Sequence, residues 1–185
     1  MKAIARVLLA GALLLTGCTN SADPSATATP TTASQFGGTD LAWIELNLAM
    51  DEEILPLLDL VPARSGSANV QALALQVQGF TIAELNVLRR LHDQAGLPAK
   101  NPHKGMPMPG MVTPEQVSEA AKLTGKPFDA FVVKAIEKHI EQSESLAESE
   151  DKSGVEPQTR SLASQIIRTR KLAGNTLTTA SKEAS

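Results

Sequence analysis

Apolar residues recur at steps of three and four along most of this chain, which is the spacing of one face of an α-helix. Leu41, Ile44, Leu48, Asp51, Leu55 and Leu58 make a first such stripe, with an acid in its middle. Thr39 or Asp40 can cap it. Pro56 should kink it or end it early, and Pro62 with Ser65-Gly66-Ser67 closes it. A second helix is predicted from about Ser67 to Ala95, on Val70, Leu73, Val77, Thr81, Leu85, Leu88 and Leu91. Gly79 is a weak point inside it, and Gly96 and Pro98 stop it. Residues 97–113, LPAKNPHKGMPMPGMVT, carry too much proline and glycine to be helical. Thr113-Pro114-Glu115-Gln116 then reads as an N-cap with proline in the first turn, opening a short helix that ends near Gly125.

A third long helix is predicted from about Phe128 to Asp151. Phe128, Phe131, Ala135, His139, Gln142 and Leu146 lie on one side, and Glu137, Glu141, Glu144 and Glu148 on the other. The fourth, from about Glu156 to Thr178, turns Leu162, Ile166 and Leu172 or Ala173 inward. Arg160, Arg168, Arg170 and Lys171 make it the basic neighbour of an acidic helix, and its last residues should fray. Two helical hairpins joined by a long loop predict an all-α, ferritin-like four-helix bundle over residues 39–182. The hairpins look like repeats of one unit, because Asp51 and His139 interrupt corresponding apolar faces. If the repeats pack about a pseudo-two-fold axis, these two side chains approach each other, and an imidazolium would suit a buried carboxylate.

The N-terminus follows a different pattern. Lys2 and Arg6 precede an apolar run, Val7 to Leu15, that is too short to span a bilayer and reads as a secretory signal. Leu15-Thr16-Gly17-Cys18 resembles the bacterial lipobox, which implies cleavage after residue 17 and a lipid on Cys18. Residues 18–38, rich in Ser, Thr, Ala and Pro, read as a flexible tether. The expected location is the outer face of the cytoplasmic membrane or another envelope membrane, with the membrane as one partner through the lipid.

Composition then narrows the chemistry. With 17 basic and 20 acidic residues the formal net charge is −3, unlike a general nucleic-acid binder. Aromatic residues are 3%, which disfavours an all-β fold. A single cysteine leaves no disulfide within the chain and no multi-cysteine metal site. No Glu-x-x-His, Gly-x-Ser-x-Gly, phosphate loop or His-Glu-x-x-His occurs, so no enzymatic activity is expected.

The concentrated chemistry is in the loop, where His103, Met106, Met108 and Met111 lie within nine residues. Thioether sulfur is a soft ligand that favours Cu(I), with imidazole a suitable companion. The same methionines can equally cap the end of a bundle as loose hydrophobes. Asp51 and His139 are a second, weaker candidate metal site.

The stretch HKGMPMPGMVTPEQVSEAAKLTGKPFDAFVV, residues 103–133, resembles the Met- and Gly-rich linker, short helix and second-repeat opening of the bacterial "domain of unknown function 305" family. The tail EPQTRSLASQIIRTRKL resembles that family's closing helix, and SANVQALALQVQGFTIAELNVLRRL the matching helix of its first repeat. The resemblance spans roughly residues 40–180. It implies a secreted or lipid-anchored ferritin-like bundle, and an association with copper seen in some members. The family's His-His pairs, one in the first helix of each repeat, fall here on Met50-Asp51 and Lys138-His139, so one histidine of four remains. Two functions stay open: copper binding through the loop, and a metal-free structural or protein-interaction module.

Overall fold

A computed structural model describes residues 35–184. The signal segment 1–17, Cys18 and residues 18–34 of the tether lie outside the described residues. In chain order the elements are α1 (Gly38–Leu58), α2 (Val61–Arg64), α3 (Ala68–Gln94), α4 (Pro114–Ala120), α5 (Gly125–Ser153) and α6 (Pro157–Ala184). The four long helices form two antiparallel hairpins, α1 with α3 and α5 with α6. The hairpins meet along α3–α6 and α1–α5. None of these helices is long and apolar enough to cross a membrane.

Local chemistry sets most boundaries. Ser67 caps α3, its hydroxyl accepting from the Val70 amide at 3.2 Å. Thr113 and Gln116 form a reciprocal capping box on α4. Pro56 sits in the last turn of α1, which ends two residues later and passes into α2. Helix α1 begins at Gly38, so Asp40 lies inside its first turn instead of capping it. Phe36, within the stretch read as tether, is buried against Trp43 and its neighbours.

At the other end of the chain the expected fraying does not occur. Helix α6 continues to Ala184 because Ala180 and Ala184 are buried and Glu183 accepts hydrogen bonds from Ser67 and Asn69. On α6 it is Ala173 that faces in, while Leu172 is 68% exposed.

The core falls into two apolar clusters. One gathers Ile54, Leu57, Val70, Leu73, Val77, Phe128, Val132, Ile136 and Ala173. The other gathers Trp43, Ile44, Leu85, Leu88, Ala147, Leu162 and Ile166. On every long helix the chain passes from one cluster to the other, and near each passage stands a buried ionisable residue: Asp51, Glu84, His139 and Arg170. Each of the two clusters draws side chains from all four long helices.

Candidate functional site

Each of the four polar residues continues the apolar stripe of its own helix, which is why they converge. Glu84 lies three residues after Thr81 and four before Leu88, and Arg170 four after Ile166 and three before Ala173. The Arg170 guanidinium takes both oxygens of Glu84, Nη1 to Oε1 at 2.9 Å and Nη2 to Oε2 at 2.8 Å. Its Nε donates to the Ser143 hydroxyl at 2.7 Å, and Nη1 also reaches Thr169 Oγ1 at 3.2 Å. The Phe80 ring covers the guanidinium, 4.2 Å from centroid to Cζ. Arg170 is 1% exposed and Glu84 is fully buried. The sequence places Arg170 among surface cations that pair with α5. It is instead the cation of the core, because a bidentate carboxylate and two hydroxyls satisfy its donors there.

Asp51 and His139 do approach, with Nε2 to Oδ1 at 3.7 Å, both within the core. They are not an ion pair. Burial, then the Arg170 charge, lowers the imidazole to about 3, against an opposing pull from the Gly110 backbone. Burial, then the Glu84 charge, raises the Asp51 carboxyl well above its ordinary value. Burial therefore favours the neutral form of both groups. The separation exceeds hydrogen-bond length; Asp51 Oδ2 has no hydrogen-bond partner, and the polar group the imidazole meets is the Gly110 backbone. The imidazolium expected to compensate Asp51 does not form, because burial, and then the Arg170 charge, disfavours it.

The loop 97–113 lies along α1. Asn101 Nδ2 donates to the Glu45 carbonyl at 2.7 Å, the Gly105 amide donates to Glu53, and Lys104 pairs with Glu52 at 3.5 Å. The loop candidates separate. Met111 is buried against Met50 and Ala49, with Met108 packed on them. Met106 is 46% exposed, and His103 is half-buried with its amide on Asn101 Oδ1. Met50, which had no assigned role, thus joins Met108 and Met111. It precedes Asp51, and Met111 follows Gly110, whose backbone meets the His139 imidazole. A cavity of about 110 Å³, lined by Met108, Gly110, Met111 and Lys138 among others, lies between loop and α5.

Gly110 makes this approach possible. Its φ is +74°, and a β-carbon there would run into Gln142 and the Lys138 carbonyl. Gly110→Ala is expected to cost about 2 kcal/mol or more from left-handed backbone and overpacking together. Urea denaturation would measure it, and an unchanged midpoint would mean that the loop does not dock on α5.

Among the described residues, no group of three or more His, Cys, Asp or Glu could hold a metal ion. The Glu84–Arg170 pair occupies the centre where a ferritin-like protein gathers carboxylates. What the interior offers a metal is one neutral imidazole and thioethers, a soft donor set.

Two tandem hairpins around a polar centre define a four-helix bundle of the ferritin-like kind. The sequence profile of the family described as Domain of unknown function (DUF305) matches residues 42–180, and the chain belongs to that family. Its fold is similar to that of a DUF305 fragment from Deinococcus radiodurans, at 18% identity and a TM-score of 0.70, over 80% of this chain and 97% of that one. It is also similar to a DUF305 protein of Streptomyces coelicolor proposed to be secreted, at 17% identity and a TM-score of 0.65, over 83% and 98% of the two chains. No curated protein matches.

Proposed function

We propose that this protein is an extracytoplasmic, lipid-anchored helical bundle without enzymatic activity that binds monovalent copper, using the thioethers of Met50, Met108 and Met111 and the imidazole of His139. The observation that carries the reading is His139 itself. It is buried and neutral, its polar partner is the Gly110 backbone, and Met108 and Met111 lie beside that glycine in the loop. A neutral imidazole is the form that ligates metal, and a backbone partner at one nitrogen leaves the other as the ligand. Export agrees with the basic and apolar start of the chain, with Cys18 as the lipid carrier, and with the proposed secretion of the Streptomyces relative. This differs from a site made by the loop alone, since His103 and Met106 are set apart from the cluster.

The test is a Cu(I) titration of residues 35–185 against a chromophoric chelator. The expected result is stoichiometric binding tighter than about micromolar. It should be lost in Met50→Leu/Met108→Leu/Met111→Leu and in His139→Leu, and kept in Met106→Leu. A melting curve of His139→Leu that matches the parent would show that loss of binding does not reflect unfolding. No binding by the parent would end the copper reading. The second reading, a metal-free structural or interaction module, is favoured by the Glu84–Arg170 pair, which already neutralises the bundle centre.

A further inference from the structure

The outward face of α3 repeats with its own period. Ala68, Ala72, Leu75, Gly79, Ile82 and Asn86 are spaced 4-3-4-3-4, and every one of them is exposed. That is the seam spacing of helices that pack along their length on another helix. Leu75 is 70% exposed and Ile82 48%, two of only five large hydrophobic side chains exposed among the described residues.

Two further observations set this face apart from an ordinary wet surface. Residues 65–88 contain one charged residue, Glu84, and it points inward to Arg170. The chain as a whole is 20% charged. Gly79, between the two large side chains, has no reason to be glycine within the fold. It lies in the middle of a helix, and a β-carbon there would meet nothing within 4 Å. Glycine in a helix interior is less stable than alanine. A missing side chain on an outward stripe allows another backbone to come close.

We propose that α3 is a self-association surface, and that its occupant is a second copy of this chain, packed antiparallel with the two α3 helices crossing at Gly79. The charge pattern selects this occupant. A two-fold contact pairs the patch with itself, so a charge at the axis would meet its own copy and a charge elsewhere would need an opposite charge on the same patch. This patch has none, and offers nothing to an acidic or basic partner. The direction follows from Arg89 and Arg90, which end the uncharged stretch. A parallel pair would bring four arginines together. An antiparallel pair centred on Gly79 sends each Arg90 to the Ala68 end of the other helix and sets Leu75 near Ile82 and Ala83. The seam from 68 to 86 is about 27 Å long at 1.5 Å per residue. One helix face of that length makes a weak, reversible dimer, smaller than a standard stable interface.

The experiment is sedimentation velocity on residues 35–185 over about 1 µM to 1 mM, a range that brackets weak association. The parent should pass from monomer to dimer with concentration. Leu75→Glu/Ile82→Glu should remain monomeric throughout, with an unchanged melting curve because both side chains are exposed. Residues 35–185 contain no cysteine, so Gly79→Cys supplies a single thiol at the crossing. It should form a disulfide-linked dimer under mild oxidation much faster than Asn175→Cys, placed on the exposed side of α6. A parent that stays monomeric at the highest concentration would overturn the proposal and leave the face to a different protein. Equal cross-linking by the two thiols, or a dimer that survives the double glutamate variant, would overturn it as well.

Discussion

Arg170→Met is expected to destabilise the helical unit by about 3–5 kcal/mol, the usual cost of removing one partner from a buried ion pair. The reason lies in what remains. Glu84 is fully buried and keeps only Thr169 Oγ1, at 3.3 Å, once the guanidinium is gone. Burial already acts to raise its carboxyl, and Arg170 is the main influence opposing that. The variant should therefore take up a proton at Glu84 on folding, and its stability should fall as pH rises above the ordinary glutamate range. Glu84→Gln/Arg170→Met removes both charges and should recover most of the loss. A double-mutant cycle from urea denaturation would measure the coupling. A cost for Arg170→Met below about 1 kcal/mol, the range of exposed pairs, would show that water reaches the pair and that it is not the centre of the core.

The fold was legible because nothing in it contradicts helical spacing. The stripes of α1, α3, α5 and α6 run in steps of three and four, and proline and glycine concentrate in the connection between hairpins. Of the four central polar residues, the sequence exposed two. Asp51 and His139 each stand alone within an apolar run and are conspicuous. Arg170 is hidden by company, since Arg168 and Lys171 beside it are exposed and together they look like one basic surface. Only its position, four residues after Ile166 and three before Ala173, marks it as inward. Glu84 carries the same mark on α3. The methionine cluster was half legible. The loop advertises Met106, Met108 and Met111 together, but which of them turns inward is decided by contacts with α1 and α5 from distant parts of the chain. Met50 reads as one more core position until the loop is laid on it.

Glu150→Gln should flatten the pH dependence of stability and raise the melting temperature at pH 8. The site is the end of the bundle where the start of α1 meets the α5–α6 turn. Asp40 Oδ1 accepts from the amides of Val155 at 3.0 Å and Glu156 at 3.1 Å, and Oδ2 accepts from the Gly37 amide at 2.6 Å. Burial acts to raise Asp40, but hydrogen bonds from Glu150 and from these amides outweigh it and hold the carboxyl below its ordinary value. Glu150 is fully buried beside it, pressed onto Gly154, where any β-carbon would strike its carboxyl. It is pushed up to about 8, first by burial, then by the hydrogen bond to Asp40 and the Asp40 charge. Glu156 adds to this and Arg160 opposes it. A protonated Glu150 can donate to the Asp40 carboxylate, whereas an ionised one faces it as a like charge. Because the folded value lies above the unfolded one, this contribution to stability is complete below about pH 4.5 and is lost as pH rises to about 8. The slope in between is at most about 1.4 kcal/mol per pH unit. Asp40 acts in the opposite sense, its contribution being lost only in acid, as pH falls below the ordinary carboxylate range. Glutamine keeps a donor for Asp40 at every pH, so Glu150→Gln should match the parent near pH 5 and exceed it at pH 8. Thermal melts of both proteins at half-unit steps from pH 4.5 to 8.5 would decide the matter. Parallel curves would mean that Glu150 is already ionised in the folded protein, and that the junction of α1 with the α5–α6 turn is held by Asp40 and the backbone amides alone.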